Sequence, residues 1–258
     1  MTYEKSIWRG EFSQLTFSLE GRKAILVLPH KANETKRWLL KTEYFEAFQD
    51  LEYALVCKGY HLAYLENGSR WVRPGDLEAK LRLRDFLVRE FGLKEKCVPV
   101  GMSCGGLHAL KQASRYPQMV SVLCLDAPVV NLLSCPFGMG IGTSVKPSAQ
   151  QELMAALGLS RSQMLAYRDH PLDHIGEIVA FPCCSCAVER ILPCLLRKMG
   201  NTSAMLTRNP LCPLWNCLCQ TAGTIHMGRT RRKPWRKRWN SLRKTTHSAG
   251  PFARLSAQ

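Results

Sequence analysis

The chain has 258 residues, of which 46% are hydrophobic and 22% charged, a composition typical of one globular α/β domain. No apolar run reaches the roughly 18 residues that a membrane-spanning helix needs. Met1–Glu11 lacks the basic start, the apolar stretch and the cleavage site of a signal peptide. We therefore expect no membrane span and a cytoplasmic location.

The net charge of +16 is unevenly distributed along the chain. Residues 1–180 hold 22 Lys and Arg against 19 Asp and Glu, whereas residues 181–258 hold 14 against a single acid, Glu189. Five of the twelve cysteines lie in the first region and seven in the second. The first five lie in apolar surroundings, where a free Cys packs as a small hydrophobe, so we expect them to be reduced. The sequence predicts a core at 1–180 and a basic, Cys-rich and Arg-rich tail at 181–258 that is non-native or disordered.

In chain order, the core alternates between two kinds of apolar pattern. Short apolar runs bounded by turn residues predict four strands, at Ala24–Pro29, His61–Leu65, Cys97–Gly101 and Val120–Leu125. Helical spacing predicts helices at Trp38–Lys58, from Asp76 as N-cap to a stop at Gly92, and at Gly105–Tyr116. Val130–Ser148 predicts a loop or cap, followed by helices at Gln150–Leu157, Gln163–Tyr167 and Leu172–Val179. This alternation indicates a mostly parallel sheet with crossover helices.

The segment Gly101-Met102-Ser103-Cys104-Gly105 matches the pattern G-x-S-x-G. The pattern alone is common, but here it follows a predicted strand and precedes a predicted helix, as a nucleophile elbow requires. The glycines allow a turn so sharp that flanking side chains would clash. We expect Ser103 to be the nucleophile and the backbone N–H of Cys104, at the helix N-terminus, to stabilise the oxyanion.

Three other interpretations of this segment remain open. Ser103 can be a buried serine in a purely structural turn. Cys104 can be the nucleophile, although Ser103 holds the central position of the elbow. A dinucleotide-binding turn fits poorly, because the glycine spacing G-x-G-x-x-G is absent.

The order of elements around G-x-S-x-G resembles the α/β-hydrolase family over residues 20–180. The resemblance implies an α/β fold with a mostly parallel sheet flanked by helices, and a second oxyanion N–H from the loop His30–Asn33, at His30 or Lys31. This loop has no His-Gly-Gly pattern, and for His30 itself we favour a loop histidine without a catalytic role. The pattern beyond residue 180 indicates that the last strands of the sheet are missing or disordered.

The same resemblance implies a catalytic acid and then a histidine after Ser103. Asp126, at the end of the fourth predicted strand, is the candidate acid, with a turn-capping role as the alternative. His170 and His174 precede any further strand, so we interpret them as surface or cap histidines. The implied activity is a carboxylesterase-like serine hydrolase acting on a small-molecule ester or amide. A peptidase is the nearest alternative, and no cofactor or metal is implied.

Residues after Ala180 lose the strand–helix alternation, as a coding frame does when it is read out of register. With free choice of synonymous codons, a shifted frame of Phe181–Val188 can encode an apolar strand that ends in small residues, and the following Glu189–Leu192 can supply an Asp. Thr224–Thr230 can encode His-Pro-Tyr-Gly-Pro-Asp in the same frame. We hypothesise a slip of one or two bases near codon 180. The written chain then lacks its native acid and base, and its hydrolase activity is impaired.

The tail permits two further interpretations. Arg229–Arg243 interleaves basic residues with Trp235 and Trp239, a pattern that suits nucleic acid or anionic surfaces in a protein that resembles a hydrolase but is not a catalyst. A disordered basic tail without a specific partner explains the same composition, and we expect no nucleic-acid partner. A zinc site among the tail cysteines is disfavoured, because paired C-x₂-C spacing is absent.

Overall fold

The computed structural model describes residues 1–139, 146–178, 180 and 181, and the backbone of 183–185. Eight strands form one sheet: β1 Glu4–Trp8, β2 Phe12–Leu19, β3 Arg22–Leu28, β4 Trp38–Lys41, β5 His61–Leu65, β6 Val98–Met102, β7 Leu123–Asp126 and β8 Cys183–Ser185. The helices are α1 Asp50–Val56, α2 Asp76–Phe91, α3 Cys104–Arg115, α4 Pro147–Leu157, α5 Arg161–Leu165 and α6 Ile175–Ile178. Short 3₁₀ turns lie at Pro117–Met119 and Pro171–His174.

The strand order in the sheet is β1-β2-β3-β5-β4-β6-β7-β8. β1, β2 and β3 form an antiparallel meander, and β3 also pairs antiparallel with β5. From β5 to β8 all neighbours are parallel. The ends of β5, β4, β6 and β7 therefore meet at one side of the sheet, which we call the carboxyl edge.

Apolar side chains alternate between the two faces of the central strands. Leu26 and Leu40 face a core formed with α2 and α3, whereas Val27 and Leu39 face a second core formed with α1. A third apolar cluster joins α3 to α4 and α5. Burial on both faces explains why the central strands are continuous apolar runs.

Most of the predicted elements of the core are present. The four predicted strands correspond to β3, β5, β6 and β7. The helix predicted to stop at Gly92 corresponds to α2, and the helix predicted at Gly105–Tyr116 corresponds to α3. Gly92 ends α2 in the left-handed conformation at φ 63°. The N-cap of α2 is Gly75, not Asp76, which is the first helical residue. Its buried carboxylate accepts instead from the backbone N–H groups of Gly68 at 2.8 Å and Arg73 at 2.9 Å.

The predicted helix Trp38–Lys58 is wrong over its first half. Trp38–Lys41 is the central strand β4, and only Asp50–Val56 is helical. The residues between them cannot continue a helix, because Tyr44 and Phe48 have φ of 55°. The apolar residues of this segment fit helical spacing and a buried strand equally well.

The sheet also extends beyond the predicted core. β8 pairs with β7 in parallel, with Leu123 opposite Cys183 and Leu125 opposite Ser185, so the sheet has one short strand beyond Ala180. The predicted boundary at residue 180 stays a prediction, because almost all of the tail lies outside the described residues. No helix within the described part of the chain is long and apolar enough to cross a membrane.

Candidate active site at the strand–helix turn of Ser103

Ser103 lies between β6 and α3 at the carboxyl edge, and its backbone is strained. Its φ is 53° and its ψ is −117°, a conformation that costs a residue with a side chain about 1–3 kcal/mol. The residue is only half-buried, so it is not enclosed in the interior. Such strain concentrates where a structure holds a side chain in a functional position.

Two glycines make the turn at Ser103 sterically possible. A Cβ atom on Gly101 would lie 2.3 Å from the carbonyl oxygen of Gly105, and one on Gly106 would lie 2.4 Å from Cβ of Pro128. Both contacts involve the backbone or a rigid ring, so neither neighbour can move aside. A Cβ atom on Gly105 would meet Glu43 Cβ and a threonine hydroxyl at 3.2 Å, a closer approach than usual.

Hydrogen bonds fix this turn to the strands on either side. On the β7 side, Ser103 N–H donates to the carbonyl of Asp126 at 3.0 Å, and Val129 N–H donates to the Ser103 carbonyl at 3.0 Å. On the β4 side, the Thr42 hydroxyl is shared between the carbonyls of Val100 at 3.0 Å and Gly105 at 2.7 Å. The turn is therefore held between the ends of two neighbouring strands.

The loop after β4, Thr42–Tyr44, lies against the first turn of α3. The backbone nitrogen of Glu43 would be 3.5 Å from a Cβ atom on Gly105. Within the described ranges, no backbone carbonyl accepts a hydrogen bond from the N–H groups of Glu43, Tyr44 or Cys104. These N–H groups are the candidates for binding a negatively charged oxygen at Ser103.

The prediction that His30 or Lys31 supplies the second oxyanion N–H is wrong. Both follow β3, which runs antiparallel to β5, so they lie at the opposite edge of the sheet from Ser103. Lys31 O would be 2.7 Å from a Cβ atom on Gly59, just before β5 begins. The exposed His30 ring lies against Phe12, with the ring centroids 4.7 Å apart, and is 3.3 Å from the Glu11 carboxylate.

Cys104 has the properties of a packing residue. Its side chain is 4% exposed and belongs to the apolar cluster between α3 and α4. Burial raises the pKa of its thiol, and the neighbouring Tyr44 and Arg70 lower it by less. Because the reactive species is the thiolate, a buried thiol with a raised pKa is a poor nucleophile. The side chain of Ser103 is the better candidate.

Asp126 ends β7 directly beside the turn. It pairs with Met102 in the sheet, and its carbonyl accepts the Ser103 N–H. The residue is exposed, and the next residue, Ala127, has φ of 42°. The backbone of the candidate acid is therefore hydrogen-bonded directly to the backbone of the candidate nucleophile. Its role as a catalytic acid stays a prediction.

None of the described histidines is hydrogen-bonded to Ser103. His108 in α3 contacts Lys80 and the Ser69 carbonyl, and His61 begins β5 at the opposite edge. His170 is a buried cap histidine whose Nδ1 accepts the Leu132 N–H at 3.2 Å. His174 bonds to Asp169 at 2.7 Å. The other two histidines, His226 and His247, lie outside the described residues, as do Arg229–Arg243 and the tail cysteines other than Cys183 and Cys184.

The sequence did not indicate two parts of this site. The loop Thr42–Tyr44 was hidden inside the predicted helix Trp38–Lys58, because the apolar run Trp38–Leu40 also fits helical spacing. A polar cluster behind this loop, which includes Lys80 and His108, left no signal because both residues fall on helices that look amphipathic. No group of His, Cys, Asp or Glu in the described part of the chain could hold a metal ion.

Comparison with solved structures identifies the class of fold. A puromycin hydrolase matches 77% of this chain with a TM-score of 0.54 and 17% identity, although this chain spans only 34% of that protein. S-formylglutathione hydrolases from Agrobacterium tumefaciens and Staphylococcus aureus match 77% and 73% of this chain and 86% of their own chains, with TM-scores of 0.50 and identities of 14% and 12%. The chain therefore has the α/β-hydrolase fold.

At the sequence level, no protein-family model and no curated protein matches the chain. A structural likeness at identities of 12–17% shows the fold alone. The activity has to be argued from the site.

Proposed function

We propose that this chain is a serine hydrolase that cleaves an ester through an acyl-enzyme on Ser103. The observation that carries the proposal is a half-buried serine at φ 53°, beside N–H groups that donate to no described backbone carbonyl. A hydroxyl in this position can attack a carbonyl carbon while the N–H groups bind the oxygen that becomes negative. The fold neighbours are named hydrolases, which supports the class of reaction.

The proposed reaction has two steps. Ser103 Oγ attacks the carbonyl carbon, its proton passes to a base and then to the leaving alcohol, and an acyl–serine ester remains. Water then attacks this ester, and Ser103 regains its proton when the acid leaves. The N–H of Cys104 and the N–H of Glu43 or Tyr44 bind the oxyanion in both steps. An amide can follow the same route, so peptidase activity is the enzymatic alternative.

The described residues include a proposed acid but no histidine that is hydrogen-bonded to Ser103. Asp126 is the proposed acid within the core, and a histidine must come from beyond residue 185. The hypothesis of a slipped frame near codon 180 makes one prediction about the gene. Sequencing should reveal a long alternative frame that encodes an acid and a histidine. An alternative frame that is interrupted by stop codons would contradict it, and the base would then have to be His226 or His247.

Fluorophosphonate labelling tests the proposed function on the chain as it exists. We expect one adduct, located by mass spectrometry on the peptide that contains Ser103, and no adduct in the variant Ser103→Ala. Ser114→Ala is the matched control, because Ser114 lies on the same helix but bonds to the Lys111 carbonyl at 3.1 Å. Labelling that persists in Ser103→Ala would overturn the assignment.

A second proposal is a hydrolase-like binding protein without catalysis. It is favoured by the contacts of the described histidines, none of which is hydrogen-bonded to Ser103. It predicts neither labelling nor hydrolysis of p-nitrophenyl esters, even after the frame is restored. Filter binding to nucleic acid at physiological salt then tests the basic tail.

A further inference from the structure

Behind the loop Thr42–Tyr44 lies a chain of buried polar side chains. Lys80 of α2 and His108 of α3 are both fully buried, and Lys80 Nζ lies 3.2 Å from His108 Nδ1. Lys80 also donates to the amide oxygen of Asn67, in the loop after β5. The Asn67 amide nitrogen in turn donates to the Thr42 carbonyl at 2.7 Å and to the Glu43 carboxylate.

The hydrogen bonds of this cluster agree on one arrangement of protons. An ammonium has donors only, so His108 Nδ1 must accept from Lys80. His108 Nε2 then carries the proton and donates to the Ser69 carbonyl at 3.1 Å. Asn67 is oriented in the same way, because its oxygen faces Lys80 and its NH₂ group faces the loop. Each side chain is therefore fixed by its neighbour.

Burying the ammonium of Lys80 is expensive, since a charge loses its hydration there. The carboxylates of Asp76 and Glu43 favour the charged form and Arg22 disfavours it, but burial dominates and lowers the pKa of Lys80 to about 8. Burial also lowers the pKa of His108, and the charges of Lys80, Lys111 and Arg22 lower it further, so the imidazole is neutral. Because apolar residues of similar volume often stabilise a core at least as well as buried charged groups, these polar side chains call for a role beyond packing.

We propose that Lys80, acting through Asn67, is a positioning residue for the oxyanion-binding loop Thr42–Tyr44. The path runs from the ammonium to the Asn67 amide and from there to the Thr42 carbonyl, one residue before the N–H groups proposed to bind the oxyanion. Thr42 itself is bonded to Gly105 at the start of α3, so the same contacts set the distance between the loop and Ser103. This inference rests on the proposed function.

Two variants remove different hydrogen bonds of the series that joins Lys80 through Asn67 to Thr42. Lys80→Met removes the ammonium but keeps an unbranched side chain. Asn67→Asp keeps an oxygen for Lys80 and is almost the same size, but it cannot donate to the Thr42 carbonyl. Lys111→Met is the matched control. Lys111 lies in α3 and is also a buried lysine, but it is paired with Asp169, away from the loop.

The first readout is the rate of fluorophosphonate reaction at Ser103, separated into probe affinity and the maximal rate of phosphonylation. We expect Lys80→Met and Asn67→Asp to lower the maximal rate by about tenfold and to leave the affinity within about twofold, because only the transition state uses the oxyanion N–H groups. Lys111→Met should change neither. A loss of affinity with an unchanged maximal rate would overturn the proposal.

The second readout does not depend on activity. The amides of Thr42 and Ala47 bond to the carbonyls of Val100 at 3.1 Å and Tyr44 at 3.0 Å, so their hydrogen exchange reports the order of the loop. We expect exchange to rise about tenfold in Lys80→Met and Asn67→Asp and to stay unchanged in Lys111→Met. Unchanged exchange in a folded Asn67→Asp variant would overturn the positioning role. Absence of labelling in both the unmodified protein and the protein with its frame restored would instead overturn the proposed function.

Discussion

Three residues with side chains adopt positive φ around the end of β6. Ser103 has φ of 53°, Tyr44 in the loop after β4 has 55°, and Ala127 after β7 has 42°. Each conformation costs on the order of 1 kcal/mol or more, and the surrounding hydrogen bonds must hold it in place. Their convergence at one point of the carboxyl edge is the residue-scale reason for placing the active site there.

The glycines of the turn should be intolerant of even one methyl group. In Gly101→Ala, the new Cβ atom would lie 2.3 Å from the Gly105 carbonyl oxygen, so β6 and α3 must separate. We expect the free energy of unfolding in urea to fall by about 1–3 kcal/mol. Gly176→Ala is the control, because its Cβ atom meets nothing within 4 Å in helix α6. It should match or exceed the parent stability, and equal stability of the two variants would contradict this account of the turn.

At the scale of elements, local sequence patterns predict what an element is more reliably than where it lies. The boundaries of β5 and α2 follow from apolar runs and from Gly59 and Gly92, which act locally. The direction of β3 depends on its pairing with β2 and β5, which no local pattern encodes, so the loop at His30 was predicted at the wrong edge. β4 was mistaken for a helix because burial on both faces removes the alternation that identifies a strand.

A buried ion pair joins two of these elements. Lys41 at the end of β4 and Glu52 in α1 are 4% and 1% exposed, and the Lys41 ammonium donates to the Glu52 carboxylate. Burial raises the pKa of Glu52, and Lys41 opposes that rise. The pair therefore anchors α1 beside the strand that carries the oxyanion-binding loop.

Breaking this pair from one side should be worse than removing it altogether. Glu52→Leu leaves Lys41 buried without a counter-charge, and we expect a loss of about 3–5 kcal/mol in the free energy of unfolding. The double variant Lys41→Met/Glu52→Leu should recover at least about 1 kcal/mol of that loss. Additive losses in the double-mutant cycle, measured by urea denaturation, would show that the two side chains do not interact.

At the scale of the whole molecule, three buried histidines make the stability of the described core sensitive to acid. His61 at the start of β5, His108 in α3 and His170 in the cap are all buried, and in each case burial is the largest cause of a lowered pKa. The unfolded chain therefore binds protons first as the pH falls through about 6.5. The stability that depends on keeping these three rings neutral is fully present above this pH and is lost progressively as the pH falls below it.

We expect the free energy of unfolding to decrease between pH 6.5 and 5, by up to about 1.4 kcal/mol per pH unit for each histidine. His170→Gln should reduce this slope, because it removes one titration while its amide oxygen can still accept the Leu132 N–H. Urea midpoints measured across this range test both statements. A slope that is unchanged in His170→Gln would show that this ring does not lose its charge on folding.

The central claim is that the turn between β6 and α3 presents residue 103 to an acyl donor. The variant Ser103→Cys tests it without need of a base, because a thiolate forms unaided at pH 8–9 and keeps the acyl group as a thioester. After a short exposure to p-nitrophenyl acetate, peptide mass mapping should find the acetyl group on residue 103 before any other cysteine. Acetylation of the exposed Cys57 with residue 103 unmodified would contradict the account.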